Sequence, residues 1–577
     1  MNRRSPQSLS LPFLPFVLAT TATAVAAPQS TTRISVDSAG AQATGGVSAG
    51  AHLTPDARYV VFTSQASNLV AGDTNAQPDV FVRDRSSNTT SRISVDAGGN
   101  QALGGPSGGC TISSDGRYVA FTSGASNLIV GDTNNSTDTF VKDRQTGAVV
   151  RANLSSSGTQ GVQFCENARI SGNGRFVVFA SFDTLFVAGD TNGVEDLFLR
   201  DLQTNTTTRV NVDSSGAQAN ASANVSGISD DGRFVVFTSG ASNLVPNDTN
   251  ASFDVFVRDT VSGQTTRVSL DALGAQIPGH STDPAISGDG AFTSFSTSVN
   301  NVVAGDTNGF LDVFVRKSSD GSVSIASTSS SGVLGNAGSS LGKLSFDGRY
   351  ISFSSIASNL VGGDTNFNFD AFLKDRVTGV TTLISQSSAG VIGNFGSFPD
   401  ALSADGRYVA FQSECTNLVA GDTNNQYDVF LRDRGQEQPV AYCSAKTNSQ
   451  GCVPAIGFSG SPSVTSAVPF NVTAVQVLNN KNGLLFYGFW WNNLPFQGGT
   501  LCVKAPTLRT ALQNSAGNAP PDDCSGVFAF DFNARIQTGI DPRLQLGRTV
   551  FAQYWYRDPA DVTTTGLTDG LRFVIGP

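Results

Sequence analysis

The phrase Asp-Thr-Asn returns seven times in this chain, and its spacing limits the fold more than any other feature. Its aspartate falls at 73, 132, 190, 248, 306, 364 and 422, an interval of 59 followed by 58 five times. Two phenylalanines keep step with it. One set is Phe62, Phe121, Phe179, Phe237, Phe295, Phe353 and Phe411; the other is Phe81, Phe140, Phe198, Phe256, Phe314, Phe372 and Phe430. A period this steady is the mark of a repeat architecture.

The second copy shows what one unit contains. "SSDGRYVAFTS" gives a tight turn at Asp115-Gly116 and then an extended run rich in β-branched and aromatic residues. The loop "GASNLIVGDTNNSTD" follows, and "TFVKDRQTGAVVRANL" gives two short strands about a turn ending at Gly147. With the stretch before the next Asp-Gly, that makes about four strands per unit, the plan of a β-propeller. No helical period survives in the array. The early segment "TTRISVD" (31–37) matches the closing strand of later units, such as "TTRVSLD" (265–271), while the last unit stops at "DVFLRDRGQEQPV" without one. An all-β, seven-bladed propeller is therefore expected, closed by its N-terminal strand, which removes an exposed sheet edge.

With "SSDGRYVAF" and "DTFVKDRQTG", the array resembles the TolB-like, WD-repeat-like propeller family over residues of about 31–436. The resemblance implies an exported bacterial protein that binds proteins or peptides. The inserted loop around Asp-Thr-Asn departs from that family's pattern, so no binding site is carried over from it.

Two readings of that loop stand side by side, with direct contact to a ligand as a third. In the first it is an Asx-turn: Asp73 bonds the amides of Thr74 and Asn75, and Asp79 caps the loop or pairs with Arg83. In the second it holds calcium, because aspartate, asparagine and aspartate at 1, 3 and 7 offer oxygens at close alternating spacing. The candidate ligands are Asp73, Asn75 and Asp79; Asp132, Asn134 and Asp138; Asp190, Asn192 and Asp196; Asp248, Asn250 and Asp254; Asp306, Asn308 and Asp312; Asp364, Asn366 and Asp370; and Asp422, Asn424 and Asp428. Against calcium, nothing constant stands at position 5, and no glutamate at 12.

The arginines after Asp-Gly, such as Arg117, read as links between blades, and the asparagines at the position of Asn68 as loop caps. A binding site on a ring is expected to break its symmetry. That reasoning selects the variable loop aromatics Phe253, Phe310, Phe367, Phe369 and Tyr427 as a contact surface for a protein or glycan.

The formal charge of −10 with no basic cluster argues against a nucleic-acid partner. Arg3 and Arg4, the apolar run after them and Ala24-Val25-Ala26 read as a signal peptide cut after residue 26. No later stretch is apolar for long enough to be a membrane helix. Export to the periplasm, cell surface or medium is expected, as a monomer. Export also permits disulfides. The pairs nearest in sequence, Cys443–Cys452 and Cys502–Cys524, are favoured, though four cysteines allow three connectivities. Cys110 and Cys165 could bridge neighbouring repeats.

The repeat ends at Arg434, and residues 437–577 read as a β-sandwich-like domain stapled by disulfides. Strands are expected in "PFNVTAVQVLNN", "GLLFYGFWW", "GTLCVKAP", "GVFAFDFNARI", "TVFAQYWYRDP" and "GLRFVIGP". The stretch from "LCVKAP" to "QYWYRDP" resembles a C-terminal module of uncharacterised exported bacterial proteins. Tyr487, Phe489 and Trp491 are expected to line one face of a buried strand, the alternative being a strip that stacks on sugars. Only two histidines exist, His52 and His280, and none follows residue 280. A Ser-His-Asp hydrolase domain behind the propeller is thereby excluded. The expectation is a binding or scaffold protein and not an enzyme. Its alternatives are a calcium-dependent adhesin or glycan-binding protein and, remotely, a carbohydrate-active enzyme.

Overall fold

The computed structural model describes residues 29–435 and 437–577. The expected signal peptide lies outside the described residues. The repeat forms seven four-stranded antiparallel sheets among the described residues. In the first, Ser48–Leu53, Tyr59–Ser64, Asp79–Asp84 and Thr89–Arg92 pair in sequence order. The pattern recurs in sheets spanning 107–151, 165–209, 223–267, 282–325 and 339–383. The seventh joins residues 397–433 to the early strand Ser30–Arg33, with Arg33 opposite Phe430. This arrangement is consistent with a propeller.

The two middle strands of each sheet are largely buried along their length, most of them apolar at successive positions because both faces are covered. The phenylalanines that keep step in the sequence stand opposite one another there. Phe62 faces Phe81 with ring centroids 5.9 Å apart, and Phe295 faces Phe314 at 5.5 Å. Apolar clusters lie between sheets. Val61, Val80 and Val82 of the first pack with Val119, Phe121 and Phe140 of the second. Val60, Phe62 and Phe81 of the first pack with Ala410, Val429 and Leu431 of the seventh.

The strand order puts the Asp-Gly turns on one face, and the Asp-Thr-Asn loops with the sheet-to-sheet connections on the other. Gly116 shows why the turn needs glycine: its φ is +73°, and a Cβ there would stand 2.3 Å from the Tyr59 ring of the preceding sheet. Arg117, expected to link sheets, instead grips Asp143 of its own sheet, Nε to Oδ1 at 3.0 Å and Nη2 to Oδ2 at 2.7 Å. The residue after that aspartate reaches across: Arg144 lies over the ring of Tyr59 at 4.1 Å.

Beyond the repeat, a sheet of Val440–Tyr442, Thr565–Val574, Thr549–Arg557, Asn482–Gly488 and short strands at 508–509 and 513–514 faces a three-stranded sheet of Ala455–Ser459, Asn471–Val477 and Gly526–Asp531. Phe470, Val472, Tyr487, Phe528, Tyr554 and Phe573 fill the space between them. "FNARIQ", expected to continue a strand, is a short helix, Phe532–Gln537. Asp531 caps it by accepting from the Ala534 amide. Tyr487 is buried as expected, whereas Trp491 begins the strand Trp491–Phe496, which pairs with Gly499–Val503, and is exposed.

The disulfides are Cys443–Cys502 and Cys452–Cys524, not the pairs nearest in sequence. Cys110 and Cys165 are buried free thiols and do not bridge repeats.

The Asp-Gly face is not bare. Asp289 meets Arg548 at 3.3 Å, Asp347 accepts from the Thr549 hydroxyl at 2.8 Å, and Glu437 joins Arg349, the Tyr350 hydroxyl and Arg572. Together these contacts tie the C-terminal sheets to the fifth and sixth repeats.

Candidate functional site

The first strands of the seven sheets surround a cavity of about 440 Å³. Every one of these strands slips register partway along, for example between Ala49 and His52, Glu166 and Arg169, and Ser340 and Lys343. A bulge of this kind re-aims the side chain that follows it. The residue so placed differs from sheet to sheet: His52, Thr111, Arg169, Gly227, Ala285, Lys343 and Ala401, all lining the cavity.

Two cations, one carboxylate and one imidazole therefore share a confined space. Arg169 donates from Nε to the Ser226 carbonyl at 3.3 Å and from Nη1 to the Ala168 carbonyl at 3.0 Å. The His52 imidazole is pushed down to about 4 by burial, with Arg169 and Lys343 adding to the effect, so it is neutral at pH 7. Its Nδ1 accepts from the Ile112 amide at 3.4 Å. Burial pushes the Asp400 carboxyl up to about 7, against the pull of the Ala51 amide and Lys343. Its Oδ2 is buried with no hydrogen-bond partner among the described residues. Burial lowers the Lys343 ammonium and pushes the Cys110 thiol up to about 12.

Phe398 and Gln412 also line the cavity. Phe398 stands 5.4 Å from Phe369 and 6.5 Å from Tyr427, so two of the five expected contact aromatics meet it. The other three stand apart. Phe253 packs on His280 at 5.8 Å and donates its amide to that imidazole, Phe310 is partly exposed, and Phe367 is 83% exposed. Sequence reasoning missed His52, Arg169, Lys343 and Asp400. A signal existed: the position two residues before the hydroxyl that opens each Asp-Gly turn varies in charge while its surroundings repeat.

The Asp-Thr-Asn loops are built differently from expectation in part. The Asn75 amide bonds Asp73 as expected, and Asn75 adds a turn of its own by accepting from the Gln77 amide, donating also to Asp79 and to the Ala102 carbonyl. Arg83 does not pair with Asp79; it reaches the Asp37 carbonyl and Thr90. The partner of both carboxylates is Arg92, 3.2 Å from Asp73 and 3.1 Å from Asp79. Ser94 closes the set on Asp79 Oδ1 at 2.5 Å. Arg151 holds Asp132 and Asp138, Arg209 holds Asp190 and Asp196, Arg267 holds Asp248 and Asp254, and Arg33 holds Asp422 and Asp428. In these five loops a guanidinium stands where a calcium ion between the aspartates would have to sit. Asn134, Asn192, Asn250, Asn366 and Asn424 each donate to the second aspartate of their loop, and Asn308 donates to the Gly335 carbonyl. Among the described residues, no group of three or more His, Cys, Asp or Glu side chains is placed to hold a metal ion. No described helix is long and apolar enough to cross a membrane.

No family model matches the chain, and no curated protein does. Solved structures do. A putative TolB from Agrobacterium tumefaciens is 16% identical, with TM-score 0.30, covering 48% of this chain and 78% of that one. TolB from Acinetobacter baumannii is 14% identical, with TM-score 0.31, covering 60% and 80%. An acylaminoacyl peptidase from Pyrococcus horikoshii is 11% identical, with TM-score 0.40, covering 75% of this chain and 58% of that one. Because peptidases stand among these matches, the expectation that the chain is not an enzyme is withdrawn; at such identities the likeness assigns no activity either. The repeat region is similar to the TolB β-propellers, at TM-scores of 0.30 and 0.31.

Proposed function

We propose that this chain is an exported binding protein whose axial cavity and aromatic mouth take a segment of a protein or peptide partner. In this reading residues 27–436 form a seven-bladed propeller closed by the N-terminal strand. Residues 437–577 form a β-sandwich-like domain seated on the Asp-Gly face, which leaves the Asp-Thr-Asn face for the partner. The pairing of Ser30–Arg33 with Asp428–Asp433 and the apolar cluster joining the first and seventh sheets support the ring. Two disulfides support export.

The observation that carries the reading is the broken symmetry of the cavity wall. His52, Thr111, Arg169, Gly227, Ala285, Lys343 and Ala401 occupy one repeat position, and a position that only built the scaffold would not change charge from sheet to sheet. Arg169 and Lys343 favour an acidic side chain or a terminal carboxylate on the entering segment. Phe369, Phe398 and Tyr427 offer apolar contact beside it. A photo-crosslinking residue in place of Phe369, which stands against the cavity-lining Phe398, used with envelope extract, tests this. A discrete crosslinked partner is expected, lost at least tenfold when Arg169→Ala and Lys343→Ala are combined. A crosslink that survives the double change removes the cavity from the reading.

A further inference from the structure

Five Asp-Thr-Asn loops carry their own cation, and the fifth and sixth do not. At the position of Arg33, Arg92, Arg151, Arg209 and Arg267, these two sheets have Ile325 and Leu383. A second change goes with the first. Gln101 accepts from Arg92 at 2.8 Å, and the matching glutamines Gln42, Gln160, Gln218 and Gln276 touch the same arginine or its aspartates. At that position the fifth and sixth sheets have Leu334 and Ile392, in the same bridge that the glutamines form elsewhere. The whole cationic clamp is thus exchanged for an aliphatic pair, while both aspartates stay.

Asp306, Asp312, Asp364 and Asp370 are all buried. Ser327 and Ser385 still donate to Asp312 and Asp370, at 2.5 and 2.6 Å. Nothing replaces the arginine. Asp312 Oδ2, whose counterparts in five sheets face a guanidinium, is buried without a hydrogen-bond partner or an ion pair among the described residues. Two buried carboxylates side by side demand a positive charge or a proton.

The arginine-bearing sheets show what a cation meets at this spot. Arg92 touches oxygens only: those of Asp73, Asp79, Gln101 and the Gly72 carbonyl, the last at 3.3 Å. Gly305 and Gly363 stand at the position of Gly72.

We propose that the fifth and sixth sheets each bind one calcium ion, between Asp306 and Asp312 and between Asp364 and Asp370. An all-oxygen set of two carboxylates, a carbonyl and water suits a hard divalent cation that accepts irregular geometry and keeps water ligands. The ion does in two sheets what an arginine does in five.

Calorimetry of chelator-treated, full-length protein with calcium chloride tests this. Two sites per chain are expected, with a higher melting temperature in calcium than in chelator. Ile325→Arg with Leu334→Gln restores the clamp of the other sheets and should cut the stoichiometry to one. Adding Leu383→Arg with Ile392→Gln should abolish both the heat and the calcium-dependent shift. Asp312→Asn with Asp370→Asn, which changes no packing volume, should do the same. No heat from the native protein, heat that survives the restored clamps, or a melting temperature that responds to pH but not to calcium would each overturn the assignment.

Discussion

Asp400 is the residue whose surroundings make the sharpest statement about the cavity. Its carboxyl is pushed up to about 7 in the folded chain from an ordinary 3.8. Below about pH 4 the proton is held in both the folded and the unfolded chain. As pH rises toward 7 the unfolded chain releases it first, so stability falls through that window. His52, neutral down to about 4, works in the opposite sense, since acid must charge it. Lys343, Arg169 and Asp283 are the other charged groups near the cavity. The informative quantity is therefore the difference between the native chain and Asp400→Asn. The variant should lose less melting temperature than the native chain between pH 4 and pH 7, and parallel profiles would show that Asp400 is not held protonated by the fold. At this scale the sequence was a partial guide. It marked Asp73 and Asp79 as a pair, but offered Arg83 as partner because Arg83 is close in sequence. The true partner, Arg92, lies one strand further on, where antiparallel pairing sets Phe81 opposite it. Nothing local to either residue announces that contact.

Among elements, the strand Ser30–Arg33 bears most on the architecture. It adds hydrogen bonds along Asp428–Asp433, and its Arg33 is the clamp for Asp422 and Asp428. Deleting residues 28–38 strips the seventh sheet of its outer strand and leaves two buried aspartates without a cation. Breaking a buried pair of this kind costs about 3–5 kcal/mol. A fall in melting temperature of several degrees is expected, against no change if the strand were an ornament. The middle strands of the repeat were legible because their phenylalanines return at a fixed period. The helix Phe532–Gln537 was not, since a six-residue apolar-polar alternation reads equally well as strand until Asp531 is seen to cap it. The disulfides escaped for a related reason. Sequence nearness joins Cys443 to Cys452, whereas the sheets bring Cys443 to Cys502, 59 residues away.

For the molecule as a whole, the join between the repeat and the C-terminal sheets decides whether it moves as one body. Glu437 sits at that join, held by Arg349 at 2.8 Å, the Tyr350 hydroxyl at 2.6 Å and Arg572 at 2.8 Å. The charged guanidinium of Arg349 leads the groups that hold its carboxyl below the usual range despite burial. Glu437→Ala leaves Arg349, which is buried, facing Asp375 alone. Scanning calorimetry of this variant should resolve two unfolding transitions where the native chain gives one, and a single unshifted transition would show that the join carries no coupling. The sequence placed the boundary near this point from the end of the repeat. It did not reveal that the C-terminal sheets meet the Asp-Gly turns, because Asp289 and Asp347 are also ordinary turn residues.

The seventh sheet has one more consequence, and it concerns time. Six of the repeated sheets are each cut from one continuous stretch of chain, and can form as soon as that stretch is available. The seventh unites strands whose residues lie 399 positions apart, as with Thr32 and Leu431. Contacts of such long range are the slowest to form. A chain emerging N-terminus first must hold Ser30–Arg33 unpaired until nearly all the repeat has followed. The seam is then the final event of assembly, and until it forms, the earliest strand is the one most open to capture by another chain.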